Sequence, residues 1–144
     1  MIRLLLIMTL LISAMSCHKT ENTQRDELIT EISRTTGSTD ILTIEKIERN
    51  NTDKGYYTIV TFRRKDGSVS NMVFSSFLMK LVADKFILHT SEDTKAAACY
   101  KFWCTTAGNC TSCQVLVDDP FGSPTLRCSC DGCHLHGQQV QCPQ

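Results

Sequence analysis

The sequence predicts an α+β fold: a small antiparallel β meander with one or two helices, followed by a disulfide-rich, mostly irregular or β C-terminal module. Three observations carry that prediction. Residues 41–75 are rich in strand-forming side chains and are punctuated by two dense turn clusters. A broad apolar stretch follows over residues 77–86. Of the nine cysteines, all but Cys17 then crowd between Cys99 and Cys142.

The chain opens with Met1-Ile2-Arg3, one positive charge, and an apolar run from Leu4 to Ile12 broken only by Thr9. That run falls well short of the roughly 20 residues a membrane-spanning helix needs. Small residues follow it, Ser13-Ala14-Met15-Ser16, so residues 1–16 read as an export signal. His18 to Arg25 is polar and suits a tether. Leu28, Ile29 and Ile32 then form a narrow apolar stripe at helical spacing, with Gly37 as the stop. Residues 17–38 are therefore expected to be a tether and a short helix.

Ala14-Met15-Ser16-Cys17 also resembles the lipobox of bacterial lipoproteins, a resemblance confined to the first seventeen residues. It implies a diacylglycerol on the sulfur of Cys17, acyl chains such as palmitate, and a membrane as partner through that lipid anchor. It further implies residence in a bacterial cell envelope, at the outer membrane or the cell surface. The alternative is ordinary signal-peptidase cleavage after Ser16, which leaves a soluble exported protein. Parity favours the lipid: with Cys17 acylated, the other eight cysteines can all pair, whereas nine leave one reactive thiol.

Residues 39–90 read as the scaffold. Ile41–Arg49 is β-branched, Asn50-Asn51-Thr52-Asp53-Lys54-Gly55 is a turn, and Tyr56–Arg64 is composed almost entirely of strand formers. Asp66-Gly67 is the sharpest hairpin signal in the chain. Ser68–Ser75 alternates, with Val69 and Val73 on one face and Met72 and Phe74 on the other. Three strands in meander order follow. A competing reading has Asp40 capping a helix through Ile41, Ile44 and Ile47. Phe77, Leu81 and Ala83 with Leu78, Val82 and Phe86 present a surface wide enough for a helix packed on that sheet; a buried strand continuing to Leu88 is the alternative. No recognisable site lies in this stretch.

Residues 91–98, Ser-Glu-Asp-Thr-Lys-Ala-Ala-Ala, read as a linker, and the composition then changes sharply. Residues 99–144 hold only eleven apolar residues besides cysteine, too few to order 46 positions unaided. Cross-links must supply the difference. Behind an export signal those are disulfides among Cys99, Cys104, Cys110, Cys113, Cys128, Cys130, Cys133 and Cys142, four bridges in all. Cys128 and Cys130 are too close to pair with each other, and spacing leaves the remaining connectivities open. Trp103, between Phe102 and Cys104, is expected at the centre of this small core, packed on a disulfide.

Three sharper chemistries compete. Cys110-x-x-Cys113 and Cys130-x-x-Cys133 have the spacing of zinc knuckles, with His134 and His136 as possible nitrogen ligands. Cys130-Asp131-Gly132-Cys133-His134 fits the C-x-x-C-H attachment pattern of haem c, with Met72, Met79, His89 or His136 opposite on the iron. Cys110-Thr111-Ser112-Cys113 has the form of a redox motif, but Gln114-Val115-Leu116-Val117 after it is β-rich where such a motif needs a helix. The simpler reading of His134-Leu135-His136 is a solvated tail, and of Asp118-Asp119-Pro120 a turn.

Charge narrows the function. The formal net charge is zero, and removing Arg3 with the signal leaves 14 bases against 15 acids, so nothing provides an electrostatic footprint for nucleic acid. No complete catalytic constellation is legible. The sequence thus points to an envelope-anchored protein whose disulfide-stabilised module binds a protein or glycan partner without catalysis or cofactor, with zinc or haem binding as the alternative.

Overall fold

The computed structural model describes residues 22–52, 55–77, 79–82, 85–88 and 98–141. The expected export signal, Cys17, His89, Cys142 and the expected linker up to residue 97 lie outside the described residues. The chain divides into two compact units, Met1–Thr39 and Asp40–Gln144.

In the first unit, α1 runs over residues 22–36. Its stripe behaves as the spacing predicts: Ile32 is buried and Leu28 and Ile29 are half-buried. Gly37 ends it with φ +65°, and the Ser38 N–H donates to the Ser33 carbonyl.

The second unit is built from two antiparallel sheets. The first takes β1 (Ile41–Asn51), β2 (Tyr56–Arg64), β3 (Val69–Ser75), β6 (Ala98–Thr106) and β9 (Cys133–Gln141), in the spatial order β1-β2-β3-β6-β9. The second takes β4 (Met79–Val82), β5 (Lys85–Leu88), β7 (Val115–Asp118) and β8 (Thr125–Cys128), in the order β4-β5-β8-β7. A 3-10 turn, Pro120–Gly122, joins β7 to β8.

The meander β1-β2-β3 forms where the strand formers and turn clusters place it, and the capped helix over residues 41–47 does not form. The helix expected over residues 77–86 does not form either. Met79–Val82 and Lys85–Leu88 pair antiparallel instead, with Leu81 opposite Phe86. The residues obey a period of two as well as they obey a helix: Lys80, Val82, Lys85 and Ile87 alternate with Met79, Leu81, Phe86 and Leu88.

The cysteine-free and cysteine-rich segments are likewise not successive modules. β6 enters the first sheet beside β3, with Val73 opposite Phe102, and β5 pairs β8, with Phe86 opposite Leu126. The physical reason is the shortage of apolar residues after Cys99. These strands bury theirs against the scaffold instead of building a separate core.

One buried cluster fills the space between the sheets: Tyr57, Val73, Phe102 and Cys104 from the first meet Phe77, Met79, Cys113, Val115 and Leu126. Phe86 tilts against Phe102 with ring centroids 4.8 Å apart. Gly137, opposite Phe102 in β9, leaves room for this pair, since a Cβ there would sit 2.7 Å from Phe86 Cζ. Alternation sends Ile44, Val60, Phe62 and Met72 to the other face of the first sheet, and they are buried too. Both faces of β2 and β3 are therefore withdrawn from water.

Trp103 takes a different place from the one expected. Consecutive residues of a strand face opposite ways, so Phe102 occupies the core while Trp103 is half-buried on the other face, stacked on His136.

Candidate functional site

Three disulfides between described residues tie the second unit together. Cys104 in β6 bonds Cys128 in β8, joining the two sheets through the buried cluster, with Cα atoms 6.0 Å apart. Cys113, just before β7, bonds Cys133 at the start of β9, at a Cα separation of 5.9 Å. Cys110 bonds Cys130, at 6.5 Å. Cys128 and Cys130 thus reach different partners. Cys99 is also disulfide-bonded.

The last two bridges lie side by side, because Cys110-x-x-Cys113 and Cys130-x-x-Cys133 meet in matching order. The sulfurs of Cys110, Cys130 and Cys133 lie within 4.8 Å of one another. Short-range geometry builds this arrangement. The Cys133 N–H donates to the Cys130 carbonyl across a tight turn, and the Ala107 N–H holds that turn through the Gly132 carbonyl at 2.7 Å. Glycine is required at 132, since a Cβ there would lie 2.9 Å from the Cys110 sulfur.

The opposing loop is stitched to the start of β3, where β6 has not yet become its neighbour. The Asn71 amide donates to the Val115 carbonyl at 2.9 Å and accepts from the Val115 N–H at 2.7 Å, as a strand partner would. The Ser70 hydroxyl donates to the Cys113 carbonyl, and those of Ser112 and the Gln114 amide to the Val69 carbonyl. Ser70 and Asn71 are buried, and these bonds satisfy them.

His134 and His136 lie exposed in β9, a regular strand rather than a tail, opposite Thr105 and Trp103. His136 stacks on Trp103 at 5.3 Å, and its Nε2 is 2.7 Å from the Thr105 hydroxyl. Among the described residues, the potential metal-ligating group at this site is made of cysteines alone. Cys130 and Cys133 of the C-x-x-C-H sequence are both bridged, so neither thiol is free to bond a haem vinyl. Met72 and Met79 are buried in strands.

A second feature stands on the β7–β8 connection. Phe121 has its side chain fully exposed, at 103 % of the reference area, and adopts φ +61° and ψ +37°. A left-handed backbone is unfavourable for a bulky residue. The flanks hold it there: Pro124 is buried, the Ser123 N–H donates to the Pro120 carbonyl, and Arg127 pairs with Asp118 at 3.0 Å. The Tyr57 hydroxyl reaches across from β2 to donate to Asp119 Oδ2 at 3.2 Å, while Oδ1 is buried with no hydrogen-bond partner. Sequence spacing gives no sign of this pair, whose members are 62 residues apart. The visible signal was a lone phenylalanine between proline and glycine.

Burial raises the pKa of the Tyr57 hydroxyl above its ordinary value of 10.0, helped by the Asp119 hydrogen bond and then by its charge. A folded value above the unfolded one means the proton's contribution to stability is whole below about pH 10 and is lost as pH rises through the folded value. Tyr57→Phe keeps the ring and removes the bond. It is expected to lose about 1–2 kcal/mol at neutral pH and to fall less steeply than the parent protein at roughly pH 10.5. Urea unfolding at both pH values measures this, and equal alkaline losses would clear Tyr57 of the effect.

No protein-family model matches the chain, and no curated protein or solved structure does.

Proposed function

We propose that this is an exported protein, held in a bacterial envelope by a lipid on Cys17, whose two-sheet unit binds a protein or glycan partner at the cell surface without catalysing a reaction. The observation that carries the reading is the set of three disulfides between described residues, one joining the sheets and two linking the loops. Such bonds persist in oxidising compartments, in keeping with the export signal. Within that frame, Phe121 is the natural contact. A large apolar side chain left in water forgoes about 1.5–3 kcal/mol of burial, and a partner recovers it. Rigid aromatic side chains bind at low entropic cost, whether they enter a protein pocket or stack on a sugar face.

The test has two arms. Cys17→Ala is expected to release the protein from the membrane fraction and to abolish the mass added by acylation. Unchanged mass and unchanged fractionation would sink the lipid anchor. Separately, the purified protein is applied to arrays of extracellular proteins and of glycans, with Phe121→Ala beside it. A binder that Phe121→Ala weakens at least tenfold is the expected result. Retained binding by that variant would move the contact elsewhere, and silence on both arrays would refute the binding reading.

A further inference from the structure

We infer that Cys110, Cys113, Cys130 and Cys133 form a redox-convertible metal site: two disulfides when oxidised, and a four-thiolate centre for a soft divalent cation of the zinc class once both bridges are reduced. This goes beyond the binding role proposed above and does not depend on it.

Geometry comes first. Two C-x-x-C sequences on different loops meet with three sulfurs already within 4.8 Å, and the fourth, on Cys113, is bonded to one of the three. A tetrahedral zinc with bonds of about 2.3 Å requires sulfurs about 3.8 Å apart. Each bridged pair must therefore open by less than two bond lengths, which rotation about the cysteine side chains supplies. The loops themselves are set by backbone bonds, Cys133 to Cys130 and Ala107 to Gly132, and by the Asn71 clamp on Val115. None of these needs the disulfides.

Access and redundancy come next. Cys110, Cys130 and Cys133 are only half-buried, and Thr111, Ser112, Ser129 and Asp131 around them are exposed. Cys104 and Cys113, by contrast, are buried in the core cluster, 6 % and 5 % exposed. A dithiol reductant therefore meets Cys110–Cys130, half-buried at both ends, before the other two bridges, and the thiols it frees lie beside the Cys133 sulfur, where exchange opens the second bridge. The two bridges also close almost the same loop, each spanning 20 residues, so the second adds little restraint to the first. The ladder between β6 and β9 and the Cys104–Cys128 bridge keep the frame when both open.

The conversion balances. Two molecules of a dithiol give up two electrons each and become cyclic disulfides, and the two protein disulfides become four thiols. Binding of one divalent cation then releases four protons, since thiolates are the ligands. The ligand set is of cysteines alone, and Nε2 of His136 is engaged by Thr105.

The experiment uses the purified full chain, treated with graded dithiol in the presence or absence of zinc, then alkylated and mapped by peptide mass. Zinc is expected to promote opening of these two bridges, with one ion bound per chain and Cys110, Cys113, Cys130 and Cys133 protected from alkylation. Cobalt in place of zinc should give thiolate charge-transfer bands and the strong visible bands of a tetrahedral site. Cys110→Ser with Cys130→Ser should lose that spectrum while keeping its dichroism. His134→Ala with His136→Ala should retain the spectrum. Absence of stoichiometric metal, or protection falling on Cys104 and Cys128, overturns the proposal. If the double serine variant misfolds, the protection map of the unaltered protein decides alone.

Discussion

A chain ending at Ser91 is expected to show no cooperative unfolding transition. The cut removes β6 and β9 from the first sheet and bares the edge of β3 from Met72 to Ser75. It removes β7 and β8 from the second, leaving β4 and β5 as an isolated hairpin, which is marginal in water. Tyr57, Val73, Phe77 and Met79 lose their packing against Phe102, Val115 and Leu126. At about 1.5–3 kcal/mol for each buried apolar side chain, that loss rivals the roughly 5–15 kcal/mol that holds a whole domain together. Near-ultraviolet dichroism during heating is the measurement. A sharp transition in the truncated chain would mean that residues 40–90 form a core of their own.

Removing the inter-sheet bridge with Cys104→Ala and Cys128→Ala is expected to cost about 3–5 kcal/mol. Releasing a loop of 24 residues accounts for roughly 3.5 kcal/mol in the chain-entropy view, and the space left beside Phe102 and Leu126 adds to it. For a unit of this size the fall in Tm is on the order of 15–25 °C. Removing Cys110–Cys130 should cost less, because Cys113–Cys133 still closes nearly the same loop. Thermal scans of both variants under oxidising conditions test the order, and a smaller effect for the inter-sheet bridge would contradict it.

Local chemistry explains which elements were legible in the sequence. Asp66-Gly67, the turn cluster at residues 50–55 and the run Tyr56–Arg64 act within a few residues of themselves, so they placed β1, β2 and β3. Leu28, Ile29, Ile32 and Gly37 did the same for α1. The stretch from Phe77 to Leu88 is apolar at nine of its twelve positions, and such a run suits a helix or a strand equally until its neighbours are known. Here the partner of β5 is β8, supplied by residues far along the chain. β9 carries His134, Gly137, Gln138 and Gln139, none of which favours a strand by itself; its pairing with β6 decides its conformation. The disulfide pairing was closed to sequence reasoning for the same reason, since only the fold brings Cys110 to Cys130. Trp103 was assigned to the core from its place between Phe102 and Cys104, whereas strand alternation gave that position to Phe102.

The order of strands in the first sheet also sets a timetable for the growing polypeptide. β1, β2 and β3 are consecutive and can pair as soon as they emerge. The second edge of β6 must wait for β9, which is made after every other described strand, and the second edge of β5 must wait for β8. Until residues 130–141 exist, the outer edge of β6 has no partner and Cys110 and Cys113 have no mates. Closure therefore comes late and over long sequence separations, which slows folding. A nascent chain of this kind stays unlocked until nearly all of its strands have been delivered.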